Sequence, residues 1–175
     1  DIKIIGPDIG IQACGDTGPG RMSEPTDIFE QCAQCFNAKI FEGIKIIITA
    51  GPTREWLDPI RFISNQSSGK MGYAIAQAAV DAGAEVLLVS GPVDLMPPKK
   101  VQFHSAMTAQ GMLDLVSEHI ANAHIFISTA AVADYAPINI AKNKIKSDTK
   151  TISISLNKNK DIVKTVATEY PNVYV

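Results

Sequence analysis

From Gly43 onward the apolar positions of this chain alternate between two rhythms. Short unbroken runs of β-branched residues, as in Lys45–Thr49, mark strands covered on both faces, whereas runs such as residues 70–82 repeat with helical spacing. The pattern predicts strand 45–50, helix 69–82, strands 85–89 and 101–103, helix 106–121 and strand 124–128. Gly83 stops the first of these helices, and Ser105 or Ala106, with Thr108 nearby, starts the second. A polar loop, 133–150, then leads to strand 151–156, helix 161–169 and an incipient strand at Val173–Val175.

Residues 1 to about 40 follow neither rhythm. They hold a short apolar piece, Ile2–Ile5, a Gly/Pro-rich loop, and a short helix from Thr26 to about Ala38, with too little apolar content for a core of their own. The expected fold class is therefore α/β: a doubly wound, Rossmann-like, mostly parallel sheet with helices on both faces, preceded by an N-terminal extension. There is no internal repeat and no low-complexity tract.

Composition narrows the function classes. With 175 residues, 46% hydrophobic content and a net charge of -2, the chain has room for one good core and too little positive charge for bulk nucleic-acid or membrane-surface binding. No apolar run approaches a membrane span, and the N-terminus lacks a signal-peptide pattern. Three cysteines without a secretory signal fit a reducing cytoplasm rather than a disulfide framework.

The stretch from Ile44 to Gly72 carries the first candidate chemistry. A polar loop with Pro and Arg residues joins a buried strand to a helix, at the carboxyl end of the strand, where open α/β folds bind ligands, and it is too long for a simple connection. Ser68-Gly69-Lys70 at the helix start suggests a phosphate loop, but Ser64 stands where its first glycine belongs and Met71 replaces the Ser/Thr that holds magnesium. A dinucleotide fingerprint, G-x-G-x-x-G, is missing too, which disfavours an NAD(P)-binding domain. Two readings stay open: small residues Ser67, Ser68 and Gly69 admit an anion to the helix amides, or they form an ordinary N-cap with Gly72 allowing close helix–sheet packing. Arg54, Arg61 and Asn65 share the loop. The arginines suit phosphate or carboxylate and Asn65 a developing oxyanion, although pairing of the arginines with Glu55 and Asp58 is favoured for an isolated loop.

A second candidate is Ser128–Tyr135, where a strand ends in small residues followed by Asp134. Small residues let a ligand lie against the backbone, and the acid suits a ribose, a base or a metal; otherwise Asp134 forms a turn and Tyr135 covers the core. Lys142, Lys144 and Lys146 form a basic cluster, either a phosphate clamp or a solvated face. Cys14, amid glycines, suits a reactive thiol or acid, or else a small buried residue. Cys32 and Cys35 make a lone C-x-x-C without a second pair, so no metal site is expected, and His104, His119 and His124 read as structural or surface residues.

The ordered motifs ACGDTGPGRMSEP (13–25), ITAGPTRE (48–55), DPIRFISNQSSGKMGYAIA (58–76), LVSGPV (88–93), AAVADY (130–135) and KIK (144–146) resemble the bifunctional phosphopantothenoylcysteine decarboxylase/phosphopantothenate–cysteine ligases of bacterial coenzyme A biosynthesis. The resemblance makes residues 1–42 the tail of a flavin-dependent decarboxylase domain and residues 43–175 a C-terminally truncated ligase domain. It implies activation of the 4′-phosphopantothenate carboxylate by CTP, an acyl-cytidylate, and attack by the amine of cysteine. Asn65 would stabilise the acyl-cytidylate and its breakdown, and Lys144 would assist its formation. Gly51, Ser67, Ser68 and Gly69 would surround the nucleotide phosphates, Ala130, Ala131 and Asp134 its cytidine, and Arg61 would bind phosphopantothenate.

Cys14 matches the decarboxylase cysteine that protonates the ene-thiolate, with residues 15–25 as the substrate flap. Magnesium would accompany CTP. FMN would belong to a full-length decarboxylase domain and not to this chain, which lacks the glycine-rich flavin segment. The resemblance also implies a homo-oligomer. Departures from the family pattern are Lys160 for a proline, Ala136 after the ADY motif, Ser147 for a second lysine, and Trp56 for a smaller residue. The competing class is a non-catalytic nucleotide-binding module of the same fold.

Overall fold

The computed structural model describes residues 2–36, 38–146 and 151–175, and the chain divides into two units, Asp1–Ala38 and Lys39–Val175. In the first, the Gly/Pro-rich segment is a hairpin rather than a loop: β1 (Asp8–Ile11) pairs antiparallel with β2 (Thr17–Arg21), closed by a turn in which Gln12 N–H donates to Asp16 O at 2.8 Å. Helix α1 (Pro25–Phe36) follows, opening on a proline whose missing N–H would be unpaired in a first turn anyway. Ile2, Ile4, Ile9, Ile11, Phe29 and Phe36 are all exposed, and no apolar side chain is buried among the described residues of this unit.

The second unit contains, in order, β3 (Lys45–Ala50), β4 (Arg54–Trp56), β5 (Phe62–Ser64), α2 (Lys70–Asp81), β6 (Glu85–Ser90), β7 (Gln102–Ser105), α3 (Ala109–His119), β8 (Ile125–Ser128), β9 (Tyr135–Pro137), β10 (Leu156–Lys158) and α4 (Ile162–Glu169). Its four-stranded sheet has the order β7-β6-β3-β8 and is parallel throughout. Five successive buried residues in β3 and in β6 match a sheet covered on both faces. Alternate side chains go to opposite layers. Ile46, Ile48 and Leu88 pack with Tyr73, Ala76 and Ala79 of α2. Ile47, Leu87, Val89 and Phe126 pack with Met112 and Val116 of α3 and Ile162 and Val166 of α4. The doubly wound α/β fold is thus present.

Several boundaries differ from expectation. Helix α3 begins at Ala109, not 106, because Thr108 is extended (φ -116°) and its side chain accepts from Gly111 N–H as an N-cap. Residues 151–155 form no strand; pairing with β9 selects Leu156–Lys158 instead, and Ile152, Ile154 and Leu156 remain partly exposed. The incipient strand is a parallel bridge between Tyr174 and Ile125. The long loop after β3 holds the hairpin β4–β5, with Arg54, Glu55 and Trp56 opposite Ser64, Ile63 and Phe62.

Candidate functional site

Strand order locates the site. The chain runs from β3 outward through β6 to β7, then returns to place β8 on the other side of β3, so a topological switch point lies at the carboxyl ends of β3 and β8. Beyond both strands the backbones stay paired: Thr129 N–H donates to Thr49 O (3.0 Å), Ala131 N–H to Gly51 O (2.8 Å) and Thr53 N–H to Ala131 O (3.3 Å). Thr53 Oγ1, fully buried, accepts from Ala133 N–H at 2.9 Å. Ala130 and Ala131 are thereby laid along Gly51–Thr53.

Gly51 and Gly69 meet at the other wall of this crevice. Both have left-handed backbones (φ +70° and +71°), and a Cβ on Gly69 would lie 3.5 Å from Gly51 Cα and 3.1 Å from Val93 Cγ1. The turn into α2 therefore depends on glycine at both positions. Ser67 Oγ accepts from Gly69 N–H at 3.3 Å, while α2 itself has no side-chain cap. The amides of its first turn lack intrahelical acceptors by geometry, leaving a helix end that favours an anion. Of the two readings left open by sequence, the ordinary side-chain N-cap is not what this turn contains. The close packing through Gly72 is present: a Cβ there would meet Thr129 Oγ1 at 2.4 Å and Ala50 Cβ at 2.6 Å.

Asn65 joins the two walls. Its Nδ2 donates to Val132 O at 2.9 Å, and the preceding Ser64 Oγ donates to Thr53 O at 2.7 Å. One N–H of the Asn65 amide is used in this way, and the second is left for another acceptor. Asp134 is exposed, and its segment is fixed by Asn159, whose N–H donates to Asp134 O and whose Nδ2 donates to Ala133 O, both at 2.7 Å. Tyr135 is 50% exposed and does not cover the core. Ser68 and Lys144 are exposed.

The arginines divide. Arg54 sits over the Phe62 ring at 4.6 Å, and Glu55 pairs with no arginine: its Oε1 accepts from Ala109 N–H at 2.8 Å, at the start of α3. Arg61 does pair with Asp58, through Nε (2.9 Å) and Nη2 (2.7 Å), and Nη2 also donates to Ile145 O. Asp58 is fully buried, and it accepts from Ile60 N–H and Arg61 N–H (both 2.8 Å) and Ile145 N–H (3.0 Å). Burial raises its pKa, but the three amides and the guanidinium outweigh burial and hold the carboxyl well below the usual carboxylate range. Two guanidinium nitrogens of Arg61 are thus already engaged. Thr53, Asp58 and Asn159, which build this site, were not singled out as site residues in the sequence; for Asp58 the signal was the Asp-Pro turn in the middle of a long polar loop.

The crevice brings together Gly51, Asn65, Ser67, Gly69, Ala130 and Ala131. Cys14 belongs to the other unit, exposed at the tip of the β1–β2 hairpin. Cys32 and Cys35 are exposed on α1 with free thiols. Ser147 lies outside the described residues. Among the described residues no three His, Cys, Asp or Glu side chains are grouped to hold a metal, and no helix is long and apolar enough to cross a membrane.

A family model described as the DNA/pantothenate metabolism flavoprotein C-terminal domain matches residues 41–175. The Coenzyme A biosynthesis bifunctional protein CoaBC of Vibrio vulnificus (strain YJ016) is 51% identical over 168 residues, covering 95% of this chain and 42% of that protein. The chain spans about two fifths of the length of the curated relatives it matches. It is similar to the crystal structure of the C-terminal domain of a Coenzyme A biosynthesis bifunctional protein CoaBC, with TM-score 0.68 and 46% identity over 78% of this chain and 64% of that one. The DNA/pantothenate metabolism flavoprotein from Streptococcus pneumoniae gives TM-score 0.66 and 26% identity over 74% of this chain and 66% of that one.

These matches correct the resemblance drawn from the motifs. That resemblance was to a decarboxylase/ligase, with this chain as a decarboxylase tail plus most of a ligase domain. What matches over residues 41–175 is the flavoprotein C-terminal domain, and neither it nor the bifunctional relatives single out a ligase. Short motifs place a segment within a two-activity polypeptide without saying which activity the segment carries.

Proposed function

Because the chain belongs to the family of DNA/pantothenate metabolism flavoprotein C-terminal domains, whose relatives here are Coenzyme A biosynthesis bifunctional proteins, we propose that its crevice binds CTP and ligates 4′-phosphopantothenate to cysteine. The observation that carries this reading is Asn65, bridging to Val132 O beside an uncapped helix start at the switch point. Triphosphate oxygens would lie at Gly51, Ser67, Ser68 and Gly69, where helix amides and dipole favour negative charge. The cytidine would lie along Ala130 and Ala131 toward Asp134.

In the first step a carboxylate oxygen of phosphopantothenate attacks the α-phosphorus of CTP and pyrophosphate leaves. Lys144 would offset charge developing on the phosphates. In the second step the amine of cysteine attacks the acyl carbon, CMP leaves, and the free N–H of Asn65 would donate to the oxyanion. A magnesium ion held mostly by phosphate oxygens would neutralise charge on the nucleotide.

The test is incubation of this chain with CTP, magnesium and 4′-phosphopantothenate, without cysteine. Acyl-cytidylate by mass spectrometry with matching pyrophosphate, consumed when cysteine is added, is the expected result. CTP binding without pyrophosphate would leave a nucleotide-binding module, and absence of CTP binding would sink the reading.

A further inference from the structure

Lys144 stands in a segment that has little reason to hold still. Three lysines in five residues, Lys142, Lys144 and Lys146, repel one another, and all three are exposed. Three bonds nonetheless hold it to the turn between β4 and β5: Ala141 N–H donates to Leu57 O at 2.9 Å, Ile145 N–H donates to Asp58 Oδ2 at 3.0 Å, and Arg61 Nη2 donates to Ile145 O.

The two oxygens of Asp58 divide the work. Oδ1 accepts only locally, from Ile60 N–H and Arg61 N–H, and so shapes its own turn. Oδ2 accepts from Ile145 N–H and Arg61 Nε, reaching across 87 residues of chain. Arg61 completes the grip by touching both Asp58 and Ile145. A fully buried carboxylate satisfied in this way is costly to disturb, because each donor it releases would be left without a partner.

We propose that Asp58 and Arg61 are positioning residues, which act through Ile145 to fix where Lys144 stands relative to the crevice. This rests on the ligase reading for the task of Lys144 but not for the grip itself. Arg61 then serves by holding the lysine segment rather than by binding substrate.

The test compares this chain with Asp58→Asn, Lys144→Ala, the double variant, and Arg61→Lys. Asparagine can keep an oxygen toward the local amides while its NH₂ faces the donors that Oδ2 accepted, so it loosens the grip selectively. Arg61→Lys keeps the charge and loses the fork, and it stands in should Asp58→Asn fail to fold. Amide hydrogen exchange at Ile145 should quicken at least about ten-fold in either variant. Pyrophosphate release should fall about ten-fold or more in kcat with little change in KM for CTP, and the double variant should be no slower than Lys144→Ala alone.

Costs that multiply in the double variant would make Asp58 merely structural and overturn the proposal. Unchanged exchange at Ile145 would overturn it too. If the parent chain releases no pyrophosphate, the ligase reading fails while the exchange data still decide whether Asp58 and Arg61 hold the lysine segment.

Discussion

Asn65 and Val132 lie 67 residues apart in the chain and 2.9 Å apart in space, the amide of one donating to the carbonyl of the other across the switch point of the sheet. The bond holds an exposed, polar side chain at a fixed angle between two loops. An oxyanion donor needs such prior orientation, since a group that must reorganise during reaction loses much of its electrostatic benefit.

Asn65→Ala should therefore separate stability from turnover. The side chain is exposed, so water replaces much of the lost bond and the stability cost should stay within about 1 kcal/mol in urea unfolding. Conversion of the acyl intermediate should slow about 10²- to 10³-fold, the scale for removing one oxyanion donor. A loss of stability with unchanged turnover would assign Asn65 to structure alone.

Glu55 makes the opposite case, a charge-bearing residue whose task is structural. It is 4% exposed, and its Oε1 accepts from the amide of Ala109 at the start of α3, where the helix dipole also favours an acid. Glu55→Ala leaves that amide unpaired and should cost roughly 1.5–3 kcal/mol. Glu55→Gln keeps an acceptor and should cost less. Urea midpoints of the two variants check the order, and equal costs would mean that packing, not the bond, matters.

Elements that local pattern alone can specify were legible in the sequence. Strand β3 and helix α2 announce themselves through unbroken burial and helical spacing, and strand and helix alternation implies the parallel sheet. The strand pairs β4–β5 and β9–β10 were not legible, because Arg54–Trp56, Phe62–Ser64, Tyr135–Pro137 and Leu156–Lys158 are three residues long and carry no alternation of their own. They exist through distant partners: Glu55 with Ala109, Asp58 with Ile145, Asn159 with Ala133 and Asp134. At the site Ser67, Ser68, Gly69 and Asn65 could be chosen from residue type, and Gly51 only from the motif resemblance. The commitment of Arg61 to Asp58 and Ile145 could not, since a guanidinium in a polar loop suits a ligand and a neighbour equally well.

Gly72 tests the closeness of helix to sheet. In an exposed helix interior, glycine to alanine gains about 0.5–1 kcal/mol. Here the new methyl would stand 2.6 Å from Ala50 Cβ, an atom fixed to the central strand, and 2.4 Å from Thr129 Oγ1. Overpacking of this kind costs about 1–3 kcal/mol, so the net change should be destabilising. Because Thr129 Oγ1 also donates to Thr49 O at 2.6 Å, the displaced helix would widen the β3/β8 crevice, and nucleotide affinity should fall with stability. A Gly72→Ala chain as stable as its parent would contradict the packing.

The pH dependence of stability should carry the signature of Asp58. Burial alone would raise its pKa; the amides of Ile145, Ile60 and Arg61, with the Arg61 guanidinium, prevail and lower it below the usual range. A carboxyl depressed in the folded state binds its proton more readily in the unfolded chain, where its value is near 3.9. Its contribution is therefore full above that unfolded value and is lost as pH falls toward the lower folded value. Urea midpoints taken from pH 6 down to about pH 2 should decline, and Asp58→Asn should flatten that decline, because it removes the group whose proton uptake differs between the two states. Parallel declines in both chains would place the acid sensitivity elsewhere.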